Sequence, residues 1–61
     1  MALKRHGLAR RRRAVGLTQE SLAEALRVER STVARWESGK AAPQPWIRPR
    51  LAETLRVSAE D

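Results

Sequence analysis

The sequence contains no cysteine, no phenylalanine, no tyrosine and no long apolar run. Without cysteine, the chain can form neither a disulfide nor a zinc site built on thiolates. Without a run of about 20 apolar residues, no segment is long enough to span a membrane as a helix, and none resembles a signal peptide. We therefore expect a cytoplasmic protein, because the sequence carries no address to another compartment.

Aromatic and catalytic side chains are also scarce. Trp36 and Trp46 are the only large aromatic residues. They are too few for the platforms on which single-stranded bases stack, so both are expected in the core. A single histidine and no candidate carboxylate pair leave no plausible catalytic set. We therefore expect no enzyme activity, no metal or other cofactor, and no small-molecule site.

Basic residues, in contrast, are abundant. Thirteen Lys and Arg against seven Asp and Glu give a formal net charge of +6 over 61 residues. This charge suits a polyanionic partner, most often nucleic acid and less often an anionic membrane. Apolar stripes on several segments fit mutual burial better than contact with lipid, so no membrane partner is expected. The length allows one small domain, residues 1–61, with a modest core.

Apolar spacing predicts four short helices, at 1–15, 19–26, 30–37 and 46–55. Residues 57–61 are typical of the opening of a fifth helix, with a serine N-cap and acids in the first turn. A domain that stops there is compatible with being the N-terminal part of a longer protein.

Residues at the predicted helix ends support these boundaries. Thr18 is a good N-cap for the second helix, whereas Glu29 is a weaker one for the third. Gly16 and Gly39 can take the left-handed conformation that ends a helix. Pro49 is tolerated because it lies in or near the first turn of the fourth helix.

The second and third helices, with the turn between them, predict a helix-turn-helix at 19–38. Apolar residues form one stripe along both helices, and Ala23 is small enough for the two axes to approach. Such a pair binds DNA by placing the N-terminal residues of its second helix in the major groove. The exposed residues expected to contact bases there are Arg30, Ser31, Thr32 and Arg35.

Residues 8–58 resemble the lambda Cro/repressor-type helix-turn-helix domains, often called the XRE family. The small, apolar and glycine positions agree jointly over most of the chain. The residues that carry the resemblance are Gly16-Leu17-Thr18-Gln19-Glu20, Leu22-Ala23, Val28, Ser31-Thr32-Val33, Trp36-Glu37-Ser38-Gly39-Lys40, Leu51-Ala52, Leu55 and Val57.

The resemblance implies a compact all-α bundle of four to five short helices. It also implies a transcriptional regulator that binds double-stranded operator DNA, commonly as a homodimer on a palindromic site. Thr18 and Gln19 match positions that grip the DNA backbone in the family, and Lys40 is a further candidate for a phosphate contact. Arg12 and Glu37 match a partly buried ion pair that ties the first helix to the end of the third.

Three positions depart from the family pattern. Arg27 and Arg56 stand where the family usually or often has glycine, so either the turns are strained or their geometry differs. Arg11 stands where the first helix of the family is usually apolar. We interpret Arg11, together with Arg10 and Arg13, as part of a solvated basic face.

A second function is compatible with the same residues. A helix-turn-helix can serve mainly in protein contacts, as in an antitoxin or a docking domain. Strongly salt-dependent binding to duplex DNA would distinguish the DNA-binding function from this alternative.

Overall fold

A computed structural model describes residues 5–56 of the chain, with side chains from residue 7 onward. Its helices are α1 (Arg5–Ala14), α2 (Gln19–Leu26), α3 (Arg30–Ser38) and α4 (Arg48–Leu55), with a 3-10 turn at Pro45–Ile47. Residues 5–56 contain no strand, which confirms the all-α fold. The predicted start of the fifth helix at 57–61, and the first four residues of the predicted first helix, lie outside the described residues.

The start of α2 is stabilised by a reciprocal pair of hydrogen bonds. The backbone N–H of Ser21 donates to Thr18 Oγ1 at 3.0 Å, and the backbone N–H of Thr18 donates to Ser21 Oγ at 2.8 Å. These bonds satisfy two of the backbone donors that a helix leaves unpaired at its start. The predicted N-cap is therefore confirmed, and α2 also ends at Leu26 as predicted.

The other helix ends follow the expected residues closely. Gly16 and Gly39 take φ values of +80° and +85°, the left-handed conformation predicted for them. The third helix extends to Ser38, one residue beyond the predicted range. Glu29 occupies the N-cap position of α3, but its side chain makes no capping hydrogen bond.

The predicted start of the fourth helix at residue 46 is wrong. Residues 45–47 form a 3-10 turn, and the α-helix begins at Arg48. In a helix starting at 46, the N–H of residue 49 would bond to the Pro45 carbonyl, but proline at 49 has no N–H. The Arg48 N–H donates to that carbonyl instead, which produces the tighter turn.

The core contains apolar side chains from all four helices and the 3-10 turn. α3 packs against α1 and α2, and α2 also packs against α4. This arrangement buries the predicted apolar stripe of the helix-turn-helix and leaves the opposite side of α3 exposed. The buried apolar residues are Leu8, Leu22, Ala23, Leu26, Val33, Trp36, Ile47, Leu51, Ala52 and Leu55.

One of the two tryptophans departs from its predicted place in the core. Trp36 is 5% exposed, as predicted, but Trp46 is 72% exposed. Trp46 lies in the 3-10 turn, where its neighbour Ile47 points into the core at 2% exposure. The apolar stripe of α4 passes through Ile47, so Trp46 faces outward.

Arg11 also departs from the solvated face that the sequence predicted. Its Nε donates to the Leu55 carbonyl oxygen at 2.7 Å, and its Nη2 donates to the Arg56 carbonyl oxygen at 3.1 Å. Carbonyl groups in the last turn of a helix lack partners within the helix. Arg11 satisfies them from α1, while Arg10 and Arg13 remain exposed as predicted.

Both arginines at the glycine-like positions take the left-handed conformation. Arg27 has φ 59° and ψ 45°, and Arg56 has φ 59° and ψ 44°. The Arg27 N–H donates to the Ala23 and Glu24 carbonyl groups, so the residue ends α2 as glycine would. The geometry of the turn is therefore kept, and the non-glycine residue is strained.

Replacing Arg27 with glycine should raise the free energy of unfolding by about 1 kcal/mol, because glycine has no Cβ to clash in the left-handed region. For a domain of this size, the melting temperature should rise by roughly 4–8 °C. Arg10→Gly is the control, since glycine inside α1 should destabilise by about 1 kcal/mol. An Arg27→Gly variant that melts no higher than the parent contradicts the strain.

Candidate nucleic-acid interface

The exposed side of α3 presents the residues predicted to contact bases. Arg30, Ser31 and Arg35 are exposed, and Thr32 is half-buried. Ser31 and Arg35 are four residues apart, so their side chains lie one above the other on the helix. Beneath them, Val33 and Trp36 are buried against the other helices. The helix is thus held from one side while its polar side remains free for a ligand.

The N-terminus of α2 brings two of the predicted phosphate contacts together. Thr18 is exposed, and its hydroxyl oxygen caps the helix. Gln19 is half-buried, and its Nε2 donates to Glu37 Oε1 at 2.9 Å. The backbone N–H groups of Gln19 and Glu20 belong to the first turn, where an α-helix supplies no acceptor. This end of the helix is therefore rich in donors.

Lys40 lies just after α3 and is exposed. Its backbone N–H donates to the Arg35 carbonyl oxygen at 3.0 Å, and the next N–H donates to the same oxygen at 3.3 Å. These bonds fold the chain back onto the end of the helix. Further along, Arg48 Nε donates to the Pro43 carbonyl oxygen at 3.3 Å, which holds a second exposed cation on this segment.

Arg12 and Glu37 form an ion pair between α1 and α3. Arg12 Nε lies 2.6 Å from Glu37 Oε2, and Arg12 Nη2 donates to Glu37 Oε1 at 3.3 Å. Their side chains are 11% and 9% exposed. The third guanidinium nitrogen, Nη1, donates to the Leu17 carbonyl oxygen at 2.9 Å. The pair therefore joins α1, the connection before α2, and the last turn of α3.

The environment of Glu37 favours its charged form. Burial by itself raises the pKa of this carboxyl, but the hydrogen bonds from Arg12 and Gln19 and the charges of Arg12 and Arg13 outweigh it. The pKa of Glu37 consequently lies below its ordinary value of 4.5. At neutral pH the group is a carboxylate, which can only accept hydrogen bonds.

A groove of about 340 Å³ borders the exposed side of α3, and sequence reasoning did not anticipate it. Thr32 and Arg35 line it from α3, while Gln44 and Trp46 line it from the following segment. On that side of the groove, Trp46 Nε1 donates to Gln44 Oε1. The sequence does contain one signal that Trp46 is exposed. The positions four and eight residues later, which share its face of a helix, are the polar residues Arg50 and Thr54.

Within residues 5–56, no helix has the length and apolar character needed to cross a membrane. In the same residues, no group of three metal-ligating side chains lies close enough together to hold an ion.

Comparison with known proteins gives a family match over nearly the whole chain. A family model described as a helix-turn-helix domain matches residues 6–61. No curated protein and no solved structure was found to match. The matched range includes α2, α3 and the turn between them, and the match is consistent with the resemblance to Cro/repressor-type domains.

Proposed function

This chain belongs to the helix-turn-helix domain family, and from that membership we propose that it is a transcriptional regulator that binds double-stranded DNA sequence-specifically. In this proposal α3 lies in the major groove. The main support is the division of α3 into a buried apolar side and an exposed side that carries Arg30, Ser31 and Arg35. A net charge of +6 adds attraction for a polyanion.

Each residue on the exposed side of α3 has a distinct role in this proposal. Arg30 and Arg35 are the candidates for bidentate contacts to guanine, which are worth about 1–3 kcal/mol of discrimination each. Ser31 and Thr32 have hydroxyl groups that can donate to or accept from a base edge. The exposed position of Arg30 at the first residue of α3 suits a contact deep in the groove.

The phosphate contacts are assigned to Thr18, Gln19 and Lys40. Thr18 Oγ1 accepts the capping bond, and its hydroxyl donates to Ser21 Oγ at 3.0 Å, from which it can rotate toward a phosphate. Gln19 adds a side-chain N–H and a backbone N–H at a helix N-terminus, where negative charge is stabilised.

The resemblance to Cro/repressor domains extends the proposal to a homodimer on a palindromic site. Cytoplasmic location remains a prediction that accompanies this function.

A salt titration tests whether the partner is duplex DNA. Binding to a labelled duplex should weaken steeply with salt, since each neutralised phosphate contributes about −0.9 to the slope of log K against log salt. Lys40→Ala should weaken binding to all sequences alike and make the slope less negative by about 1. The exposed Trp46, beside Arg35 in the groove, offers a fluorescence signal for the same titration.

The matched control is Arg10→Ala, which removes one exposed cation from α1. We expect this variant to keep the slope of the parent within half a unit, because the residue lies outside the assigned contacts. Two results contradict the proposed function: binding that does not depend on salt, and no binding to duplex at low salt.

A further inference from the structure

Glu37 is shared between the ion pair and a residue assigned to DNA. Its Oε1 accepts from Gln19 Nε2 at 2.9 Å and from Arg12 Nη2 at 3.3 Å, while Oε2 accepts from Arg12 Nε at 2.6 Å. Gln19 lies on α2, Glu37 on α3 and Arg12 on α1. One carboxylate near the end of α3 therefore fixes a side chain at the start of α2.

We propose that Glu37 is a positioning residue for DNA binding, which sets the direction in which the Gln19 amide donates to a backbone phosphate. This inference rests on the proposed function, because it concerns the same interface. It assigns to Glu37 a role beyond the ion pair with Arg12, and one that requires no contact between Glu37 and DNA.

The chemistry of the two groups determines the orientation of the amide. A carboxylate accepts hydrogen bonds and donates none, so Gln19 must face Glu37 with its nitrogen and not with its oxygen. The amide nitrogen carries two N–H groups that diverge by roughly 120°, as its planar geometry requires. One is committed to Glu37 at 2.9 Å, and the other remains available on a half-buried side chain.

Fixing this side chain before DNA arrives improves binding. A free glutamine loses rotamer freedom when it contacts a phosphate, and it can also present its oxygen, which a phosphate repels. With Glu37 in place, the rotamer and the donor orientation already exist in the unbound protein. The gain therefore appears as higher affinity for every duplex and not as a preference for one sequence.

Arg12 makes the arrangement compatible with DNA. A carboxylate without a cationic partner, bonded to the same amide as a phosphate, would repel that phosphate and weaken its contact with the amide. The Arg12 guanidinium donates to both Glu37 oxygens and neutralises that charge. Arg12, Glu37 and Gln19 thus act as one unit, in which only Gln19 is directed at the phosphate.

A double-mutant cycle on duplex affinity tests this role. At a temperature where circular dichroism shows every variant folded, Glu37→Gln should weaken binding about five- to tenfold when Gln19 is present, which corresponds to the loss of one ordinary to strong hydrogen bond. In the Gln19→Ala background the same substitution should weaken binding by no more than about twofold, since the contact is already absent. Glu53→Gln is the control for loss of one carboxylate at an exposed site on α4, and it should leave affinity unchanged.

Two further measurements separate positioning from stability. Glu37→Asp keeps a charge for Arg12 but shortens the reach to Gln19, so it should weaken duplex binding while the domain stays folded. In the free protein, the Gln19 side-chain amide should give two well-separated proton signals in a ¹⁵N correlation spectrum. In Glu37→Gln their separation should narrow toward that of a solvent-exposed glutamine, because the amide then loses its charged acceptor.

The outcomes distinguish this inference from the function on which it rests. Duplex binding by the parent, with equal losses from Glu37→Gln in both backgrounds, overturns the positioning role and leaves the proposed function standing. An unchanged Gln19 amide signal in Glu37→Gln also overturns it. A parent chain that binds no duplex at low salt contradicts the proposed function itself, and the positioning role fails with it.

Discussion

Replacing Arg12 with methionine should destabilise the domain by about 3–5 kcal/mol, because the Glu37 carboxylate is then left nearly buried without its charged partner. The substitution also removes the donor to the Leu17 carbonyl. Methionine keeps the apolar stem, so the loss reports the charge and not a cavity. A domain of this length has only a few kcal/mol in reserve, roughly 3–5. Urea and thermal denaturation followed by circular dichroism should show a largely unfolded chain at 25 °C.

Two companion variants sharpen this prediction. Arg10→Met makes the same change at an exposed site on α1 and should alter stability by no more than about 0.5 kcal/mol. Combining Arg12→Met with Glu37→Met should recover much of the loss, because no stranded charge remains. If the free energy of unfolding of Arg12→Met lay within about 1 kcal/mol of that of the parent, the pair would contribute no more than a surface ion pair does.

The same pair gives stability a predictable dependence on pH. The folded pKa of Glu37 lies below its ordinary value of 4.5. Between these two pKa values the unfolded chain therefore binds more protons than the folded chain. The contribution is therefore fully present above pH 4.5 and is lost as the pH falls through the folded pKa. Glu37→Gln should remove this part of the acid dependence.

Local patterns predicted the helix-turn-helix well. The bounds of α2 and the Thr18 cap follow from a capping residue placed directly before an apolar stripe, which is a short-range signal. The conformation of Arg27 was not predicted: the sequence left a strained turn and a different geometry open, and the structure shows the strained left-handed conformation.

Contacts between distant residues could not be predicted in the same way. Arg11 donates to carbonyl groups 44 and 45 residues away, so no local pattern reveals that it closes the end of α4. The bond between Gln19 and Glu37 likewise joins residues 18 apart. The prediction that Trp46 lies in the core is wrong. Large aromatic residues are usually buried, but Pro45 and Pro49 favour a 3-10 turn here, and in this turn the Trp46 side chain faces outward.

Arg35→Ala should have the largest effect on DNA recognition. If the guanidinium makes a bidentate contact to guanine, its loss removes about 1–3 kcal/mol of discrimination at one base pair. Affinity for the preferred site should fall while affinity for unrelated duplexes falls much less. Because Arg35 is exposed, its replacement should change the melting temperature little.

The matched control is Lys40→Ala, which removes a cation assigned to a phosphate. It should weaken preferred and unrelated duplexes by similar factors, because phosphate contacts carry no sequence information. Equal losses on both kinds of duplex from Arg35→Ala would place Arg35 at the backbone and remove it from base recognition.

The central claim is that the exposed side of α3 recognises a DNA sequence, and selection from a pool of random duplexes tests it most directly. At low salt, the parent chain should enrich a short motif containing guanine, with a palindromic repeat if two copies bind together. Arg35→Ala should enrich a motif that is degenerate at one position of each half-site. A pool that shows no enrichment over the starting sequences, with the folded parent chain, would contradict sequence-specific recognition and favour a module used for protein contacts.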